Sequence, residues 1–393
     1  MILPRYAAKY QTNLLDSVIP FWVRHSVDWE AGGYFTCLDR EGAVYDPRKY
    51  VWLQGRQIWM FSRLYNQVER RQEWLDIATH GMNFLLRHAR DAGGRYYFRL
   101  ARDGRPSFFQ RKPYAAVFAV MALAEYARTG AGEQYRSAAI SLFWQVIEWI
   151  RQPVLLGREA LSGQPPFQSL ADSIVIAKMA LEIADLDGDP RLGQLMHGCL
   201  DEALLHHDPT RDILLEFRGG GAEARFYPEG RLFNPGHSVE AAWLLWLLAE
   251  RIGRCEELPR IQRILEGSLT LGWDAEFGGL HYFMDIEGRP LLQLEASMKL
   301  WWPHAEALFA AVLAYCRTAE PRWLTWLERI DEYSFRHFDD PGHGEWFGYR
   351  DRQGNLTHTL KGNHYKGCFH VPRALLFSWR ALAEAGETAG KDE

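Results

Sequence analysis

The chain has 393 residues, 47% of them hydrophobic and 24% charged, with a formal net charge of -5. These are ordinary values for a globular protein with a large core, and acids and bases are interspersed, which excludes the basic stripe that a nucleic-acid backbone demands. Apolar stretches such as Ala241 to Ala249 fall far short of the roughly 20 residues of a membrane span.

The opening residues, MILPRYAAKYQTN, lack a long apolar core and a small-residue cleavage site, so no secretory signal is read there. Cys37, Cys199, Cys255, Cys316 and Cys368 are scattered, odd in number and without C-x-x-C spacing. That usage suits reduced thiols in the cytoplasm rather than a disulfide framework. Aromatic residues make up 14% of the chain. They serve as core packing, and some of them are candidates to line a pocket for a flat, partly apolar ligand such as a sugar ring.

In chain order, helical patterns fall near residues 4–25, 50–68, 72–89, 113–129, 133–151, 168–186, 190–206, 237–252, 258–272, 303–317, 321–338 and 368–385. The odd members are amphipathic. Trp74, Ile77, Ala78, Met82 and Leu85 recur at helical spacing, as do Tyr135, Ala138, Ala139, Leu142, Val146 and Trp149, so each presents one wet face. The even members read as apolar nearly all round. Ala115 to Tyr126, Ser238 to Ala249 and Ala305 to Tyr315 are the clearest, and such helices are buried on every side.

Between the pairs lies a recurring motif of glycines, aromatics and an acidic turn. Gly32-Gly33-Tyr34-Phe35 is followed by Asp39-Arg40-Glu41-Gly42, and Gly278-Gly279-Leu280-His281-Tyr282-Phe283 by Asp285-Ile286-Glu287-Gly288. Such segments predict short β-hairpins. The six copies start near residues 32, 93, 157, 219, 278 and 344, the third being a degenerate loop from Gly157 to Gly163. A step of about 60 residues per helix pair signals a repeated supersecondary unit. The expected fold is all-α: one domain, residues 1–393, forming an (α/α)6 toroid barrel with short β-hairpins at one rim. An open helical solenoid is the alternative, but it would bury the even helices less completely.

Every inner helix follows a hairpin, so their first turns gather at one mouth. There the sequence places Trp52, Gln54, Arg56 and Gln57; Lys112 and Tyr114; Ser169 and Asp172; His237 and Glu240; Trp302, His304 and Glu306; and His370. Polar groups ringing an apolar barrel make a ligand pocket. Singly, each has a structural reading: His237 and Glu240 as a helix cap, Glu306 as a first-turn acid, His370 as a core histidine. Their recurrence at matching points of several repeats favours a site. His206-His207-Asp208 reads as a solvated helix end. His343, His358 and His364 match no zinc spacing, so no metal is expected.

Four segments carry a resemblance: Gly55-Arg56-Gln57-Ile58-Trp59-Met60, Asn234-Pro235-Gly236-His237, Lys299-Leu300-Trp301-Trp302-Pro303-His304-Ala305-Glu306, and Lys366-Gly367-Cys368-Phe369-His370-Val371-Pro372-Arg373. Nearly the whole chain resembles the N-acylglucosamine 2-epimerase family, including its renin-binding-protein branch, with cellobiose 2-epimerases and aldose–ketose isomerases as relatives. The resemblance implies an (α/α)6 barrel, often a cytoplasmic homodimer, with His237 and His370 as paired catalytic histidines. It also implies that Arg56, Tyr114 and Glu306 bind substrate. Residues 168–173 lack the histidine that disaccharide epimerases and isomerases often carry, as does the N-acetylglucosamine branch. Some members use ATP as an allosteric activator, and Leu156-Gly157-Arg158 with Leu161-Ser162-Gly163 resembles the loop concerned.

The implied reaction interconverts C2 epimers of a reducing sugar, N-acetylglucosamine and N-acetylmannosamine foremost, without a required cofactor. Histidine, with an ordinary pKa near ~6.5, can take a proton from C2 or return one. Two histidines on opposite walls would serve the two faces. Arg56 and His304 would stabilise the enediolate oxygen, while Glu240, Trp302 and Glu306 would orient a histidine or bind the sugar. An aldose–ketose isomerase and a cellobiose 2-epimerase share this intermediate. A glycoside hydrolase would instead need two carboxyl groups flanking the bond, and an inactive carbohydrate-binding protein would keep affinity without turnover.

Overall fold

The computed structural model describes residues 3–389 except 111, 160 and 164. Residue 160, inside the degenerate loop, therefore lies outside the described residues. Helix α1 spans residues 3–25, as Leu3–Thr12, a π-helical segment Asn13–Val18, and Ile19–His25. It is followed by α2 (Val51–Gln67), α3 (Gln72–His88), α4 (Tyr114–Tyr126), α5 (Glu133–Arg151) and α6 (Leu170–Ile183). Then come α7 (Pro190–Leu204), α8 (Pro235–Ile252), α9 (Leu258–Gly272), α10 (Trp301–Thr318), α11 (Pro321–His337) and α12 (His370–Ala389). The twelve expected helices are all present among the described residues.

The even helices form the inner wall of an (α/α)6 toroid and the odd helices its outer layer. Ala115 to Tyr126 of α4 and Trp301 to Ala314 of α10 are buried without a break, whereas α3 buries one face through Trp74, Ile77, Ala78, Met82 and Leu85. The inner ring closes where Trp59 of α2 packs edge-on against Phe369 and Phe377, with ring centroids 5.4 and 6.1 Å apart. α12 departs from complete burial, since Arg380 and Glu384 in its second half are exposed. α2 and α4 cross closely at Gly55, where a Cβ would fall 2.5 Å from the Phe118 carbonyl oxygen. No described helix is long and apolar enough to cross a membrane.

Outer-to-inner connections lie at one rim and carry, among the described residues, thirteen short strands, all paired antiparallel. They are β1 (Cys37–Leu38), β2 (Val44–Asp46), β3 (Lys49–Tyr50), β4 (Arg99–Leu100), β5 (Pro106–Phe108) and β6 (Phe167–Ser169). The remainder are β7 (His207–Asp208), β8 (Ile213–Leu214), β9 (Phe217–Gly219), β10 (Leu232–Phe233), β11 (Met284–Asp285), β12 (Lys299–Leu300) and β13 (Tyr349–Arg350).

Local hairpins form at β1–β2, β4–β5 and β7–β8. The other pairings correct the simple hairpin expectation. The strand before each of four inner helices pairs with a strand of the next repeat: β3 with β4, β6 with β9, β10 with β11, and β12 with β13. The rim is thus laced between repeats. Ion pairs on two buried carboxylates reinforce it: Asp28 takes the buried Lys49 and the part-exposed Arg102, both at 2.9 Å, and Asp274 takes the buried Lys299 at 3.0 Å and the part-exposed Arg352 at 2.9 Å.

Candidate active site

A cavity of about 480 Å³ opens at the laced rim. Its floor is set by the first turns of the inner helices, which bring Trp52 and Arg56 from α2, His237 and Glu240 from α8, Trp302 from α10 and His370 from α12. The loops above contribute Tyr282, Glu295, Met298 and Tyr365, and β13 contributes Tyr349. The aromatic content thus has a second use besides core packing, because apolar rings with a few convergent polar groups suit a sugar ring.

His237 is held from two sides. The α8 start is capped by Asn234, whose side chain accepts from the His237 backbone N–H at 3.1 Å. On the imidazole, Nδ1 lies 2.8 Å from Oε2 of Glu216. Burial pushes the His237 pKa down, but the adjacent Glu216 carboxylate, by charge and hydrogen bond, carries it above its ordinary value.

His370 is built in the same way with the opposite outcome. Its Nδ1 lies 2.5 Å from Oε1 of Glu306. That oxygen also accepts from Nη2 of Arg373 at 2.6 Å, while Oε2 accepts from Trp243 Nε1 at 3.1 Å. Burial dominates and lowers the His370 pKa to about 4, with Glu306 opposing and Arg56 and Arg373 adding to the depression. With Nδ1 taken in both rings, Nε2 is the nitrogen each has left for a ligand. The Trp302 indole touches both imidazoles, with centroids 5.1 Å from His237 and 5.8 Å from His370. The two histidines flank α10 and do not face each other across the full diameter. Helices eight and twelve are two places apart in a ring of six, which corrects the expectation of opposite walls.

Arg56 is buried, with its guanidinium 4.5 Å from the Trp52 ring, 4.1 Å from Phe118 and 4.9 Å from Phe369. Its Nε has no hydrogen-bond partner, and burial pushes its pKa down to about 9. Below it, Glu240 accepts from Lys178 at 2.8 Å and Arg373 at 3.0 Å. Glu240, Glu306 and His370 are the one group of metal-ligating side chains, among the described residues, close enough to share an ion. The Arg373 guanidinium already bonds both carboxylates, so that space holds a resident cation.

Three expected contacts are placed elsewhere. His304 is fully buried, its Nδ1 donating to the Leu300 carbonyl at 2.6 Å and its Nε2 accepting from Leu280 N–H at 2.9 Å. It stacks on Tyr333 of the outer layer at 5.1 Å, so both nitrogens are used and it cannot reach a ligand. Glu306 stands behind His370 and not at the cavity surface. Tyr114 is also absent from the lining and turns its hydroxyl to Asp172 at 3.5 Å. Two rim candidates are structural ties as well: Gln54 bonds both backbone groups of Tyr34, and Gln57 donates to Ser26. His206, expected at a solvated end, is buried and bonds the Leu215 carbonyl.

Residues 33–371 match the family model described as N-acylglucosamine 2-epimerase. The N-acylglucosamine 2-epimerase of Mus musculus is 42% identical over 373 residues, covering 92% of this chain and 88% of its own. That of Bos taurus is 41% identical over 369 residues, with 92% and 87% covered. The chain belongs to the N-acylglucosamine 2-epimerase family. As a member it is a carbohydrate 2-epimerase, an isomerase. Its fold superposes on a cellobiose 2-epimerase of Bacillus thermoamylovorans with a TM-score of 0.81 at 21% identity, covering 96% of this chain and 99% of that one.

Within this family member, Glu216 and Lys178 stand beside the candidate residues without having been among them, and Arg373, quoted in the fourth resembling segment, had no role assigned there. Each had a signal, being a charge at the edge of or inside an apolar run. Glu216 follows Ile213, Leu214 and Leu215, Lys178 sits between Ala177 and Met179, and Arg373 sits between Pro372 and Ala374. Such charges persist in a core only when paired. The loop that resembles an ATP site carries one cation in residues 156–163, Arg158. A triphosphate calls for clustered cations or backbone N–H groups. In that loop the backbone N–H groups of Gly157 and Arg158 already bond the Val154 and Pro153 carbonyls.

Proposed function

We propose that this epimerase interconverts N-acetylglucosamine and N-acetylmannosamine, with His370 and His237 as the acid/base pair. The observation that carries the reading is the placement of both imidazoles in one cavity, each against Trp302 and each held through Nδ1 by a different glutamate so that Nε2 is left for a ligand. Their surroundings bias His370 toward neutral and His237 toward protonated. Titratable pairs whose environments push their pKa values apart mark acid and base.

The open-chain sugar presents its C2 hydrogen to Nε2 of His370. The C2–H bond breaks, the proton passes to His370, and the electron pair moves onto the C1 carbonyl oxygen as an enolate. For a 2-hydroxy sugar the same species is the enediolate. Arg56, the buried cation in the lining, balances that negative charge. Nε2–H of His237 then delivers a proton to the other face of C2, and the oxygen pair re-forms the carbonyl. His370 is left protonated and His237 neutral, and the reverse reaction runs from that state. Trp302, against both imidazoles, and the Tyr282, Tyr349 and Tyr365 rings supply apolar faces for the sugar. The family resemblance further supports a cytoplasmic homodimer, for which light scattering after size-exclusion chromatography is the test of assembly.

Incubation with N-acetylglucosamine, N-acetylmannosamine, mannose and cellobiose in D2O, followed by NMR, tests the reading. Deuterium at C2 of the epimerised N-acetyl sugars is expected. Turnover restricted to mannose with a ketose product, or to cellobiose, would overturn the substrate assignment.

A further inference from the structure

We infer that Glu216 is the positioning residue of the site: its carboxylate keeps His237 protonated and aims Nε2 into the cavity. This rests on the proposed acid/base role of His237. Glu216 is itself rigidly placed. Its backbone N–H donates to the Leu232 carbonyl at 2.9 Å, and its carbonyl accepts from Leu170 N–H at 2.9 Å. It therefore ties the approach to α8 to the start of α6, and its side chain points to His237.

The contrast with Glu306 decides what Glu216 does. Both carboxylates bond a histidine Nδ1, at 2.8 Å for Glu216 and 2.5 Å for Glu306. Glu306 shares its bonding oxygen with Arg373, which offsets its charge. Among the described residues, the ion-pair partner of Glu216 is His237. Its negative charge is thus available to an imidazolium, and a charged hydrogen bond at this distance favours the charged form. The other charged groups acting on His237 are Glu240, which reinforces Glu216, and Lys178, which opposes it. Asp172, Tyr114, Tyr282 and His206 lie in the field of Glu216 itself. The Trp302 ring covers another side of His237 and carries no charge.

Glu216→Gln in the full chain removes the charge and keeps the shape, and Glu216→Asp restores the charge on a shorter arm. With isotope-labelled histidine, the His237 resonance is assigned by its loss in His237→Asn. Its titration midpoint is expected to fall by about one pH unit or more in Glu216→Gln and to recover in part in Glu216→Asp. The alkaline limb of kcat/KM should move down with it, while KM near pH 6 stays close to wild type. A midpoint that is unchanged in Glu216→Gln overturns the inference, whatever the kinetics. A midpoint that moves while the alkaline limb stays in place supports the hold of Glu216 on the proton and instead removes His237 from the role of acid. A purely structural role would lower the unfolding temperature and kcat in both variants and leave the midpoint alone.

Discussion

Nδ1 of His370 and Oε1 of Glu306 lie 2.5 Å apart at the base of the cavity. A carboxylate accepts, so the hydrogen sits on Nδ1 and the lone pair of the neutral ring sits on Nε2. Arg373, 2.6 Å from the same oxygen, keeps Glu306 ionised and limits its pull on a second imidazole proton. The geometry thus fixes a neutral tautomer poised to take a proton.

Substituting either imidazole tests the pair. His370→Asn and His237→Asn should each lower epimerisation by about 10²–10⁴-fold, the usual weight of a positioned general acid or base. The double variant should fall well short of the product of the two effects, because both groups serve one intermediate. Each single variant should still wash deuterium into C2 of the epimer whose hydrogen faces the surviving base, the opposite epimer in each case. Near-normal turnover in both variants sinks the pair.

The pH profile of kcat/KM should be bell-shaped. Below its depressed pKa of about 4, His370 gains a proton and ceases to be a base, so the acid limb falls there. As pH rises through the raised pKa of His237, the donor is lost, and the alkaline limb falls above the ordinary histidine value. The active form carries one proton on the pair, so the limbs belong to the pair and not to single residues. An acid limb near the ordinary histidine value would contradict the reading for His370.

Arg56 should cost stability while serving catalysis. It is a buried cation whose Nε lacks a partner, a state that is destabilising in itself. Arg56→Met, which keeps the contacts to Trp52, Phe118 and Phe369, should raise the unfolding temperature. It should also lower kcat by about 10²–10³-fold, as for loss of one oxyanion-stabilising group. A variant that is both less stable and fully active would refute the assignment.

His304 should behave in the opposite way. His304→Phe orphans the Leu280 N–H inside the wall, at about 1–3 kcal/mol for an unsatisfied buried group. Urea unfolding should register that loss, and the folded fraction should keep near-normal kcat/KM. A large fall in kcat with unchanged stability would return His304 to the site.

Much of the fold was legible because it is periodic. The twelve helices follow from two alternating kinds of apolar pattern, and His237 and His370 stand at equivalent first turns. Helical geometry also explains the misplacement of His304. Successive residues turn by about 100°, so Trp302 and Glu306 share a face while His304, two residues from each, points the other way. Trp302 lines the cavity and His304 meets Tyr333. The cross-repeat strands were not legible, since pairing Lys49 with Leu100 or Leu232 with Asp285 depends on which hairpin lies beside which. Glu216 was missed for the same reason, because its partner is 21 residues away and on another element.

The laced rim has an electrical consequence. All six inner helices begin at that rim, so their N-terminal ends converge on one mouth. Each such end behaves as roughly half a positive charge, and its first N–H groups lack partners within the helix. The barrel therefore surrounds its cavity with a ring of partial positive charge that belongs to the backbone and survives any side-chain substitution. A sugar that becomes an anion for the duration of the proton transfer sits inside that ring, and oxyanions shaped like the enolate should bind there more tightly than the neutral sugar does.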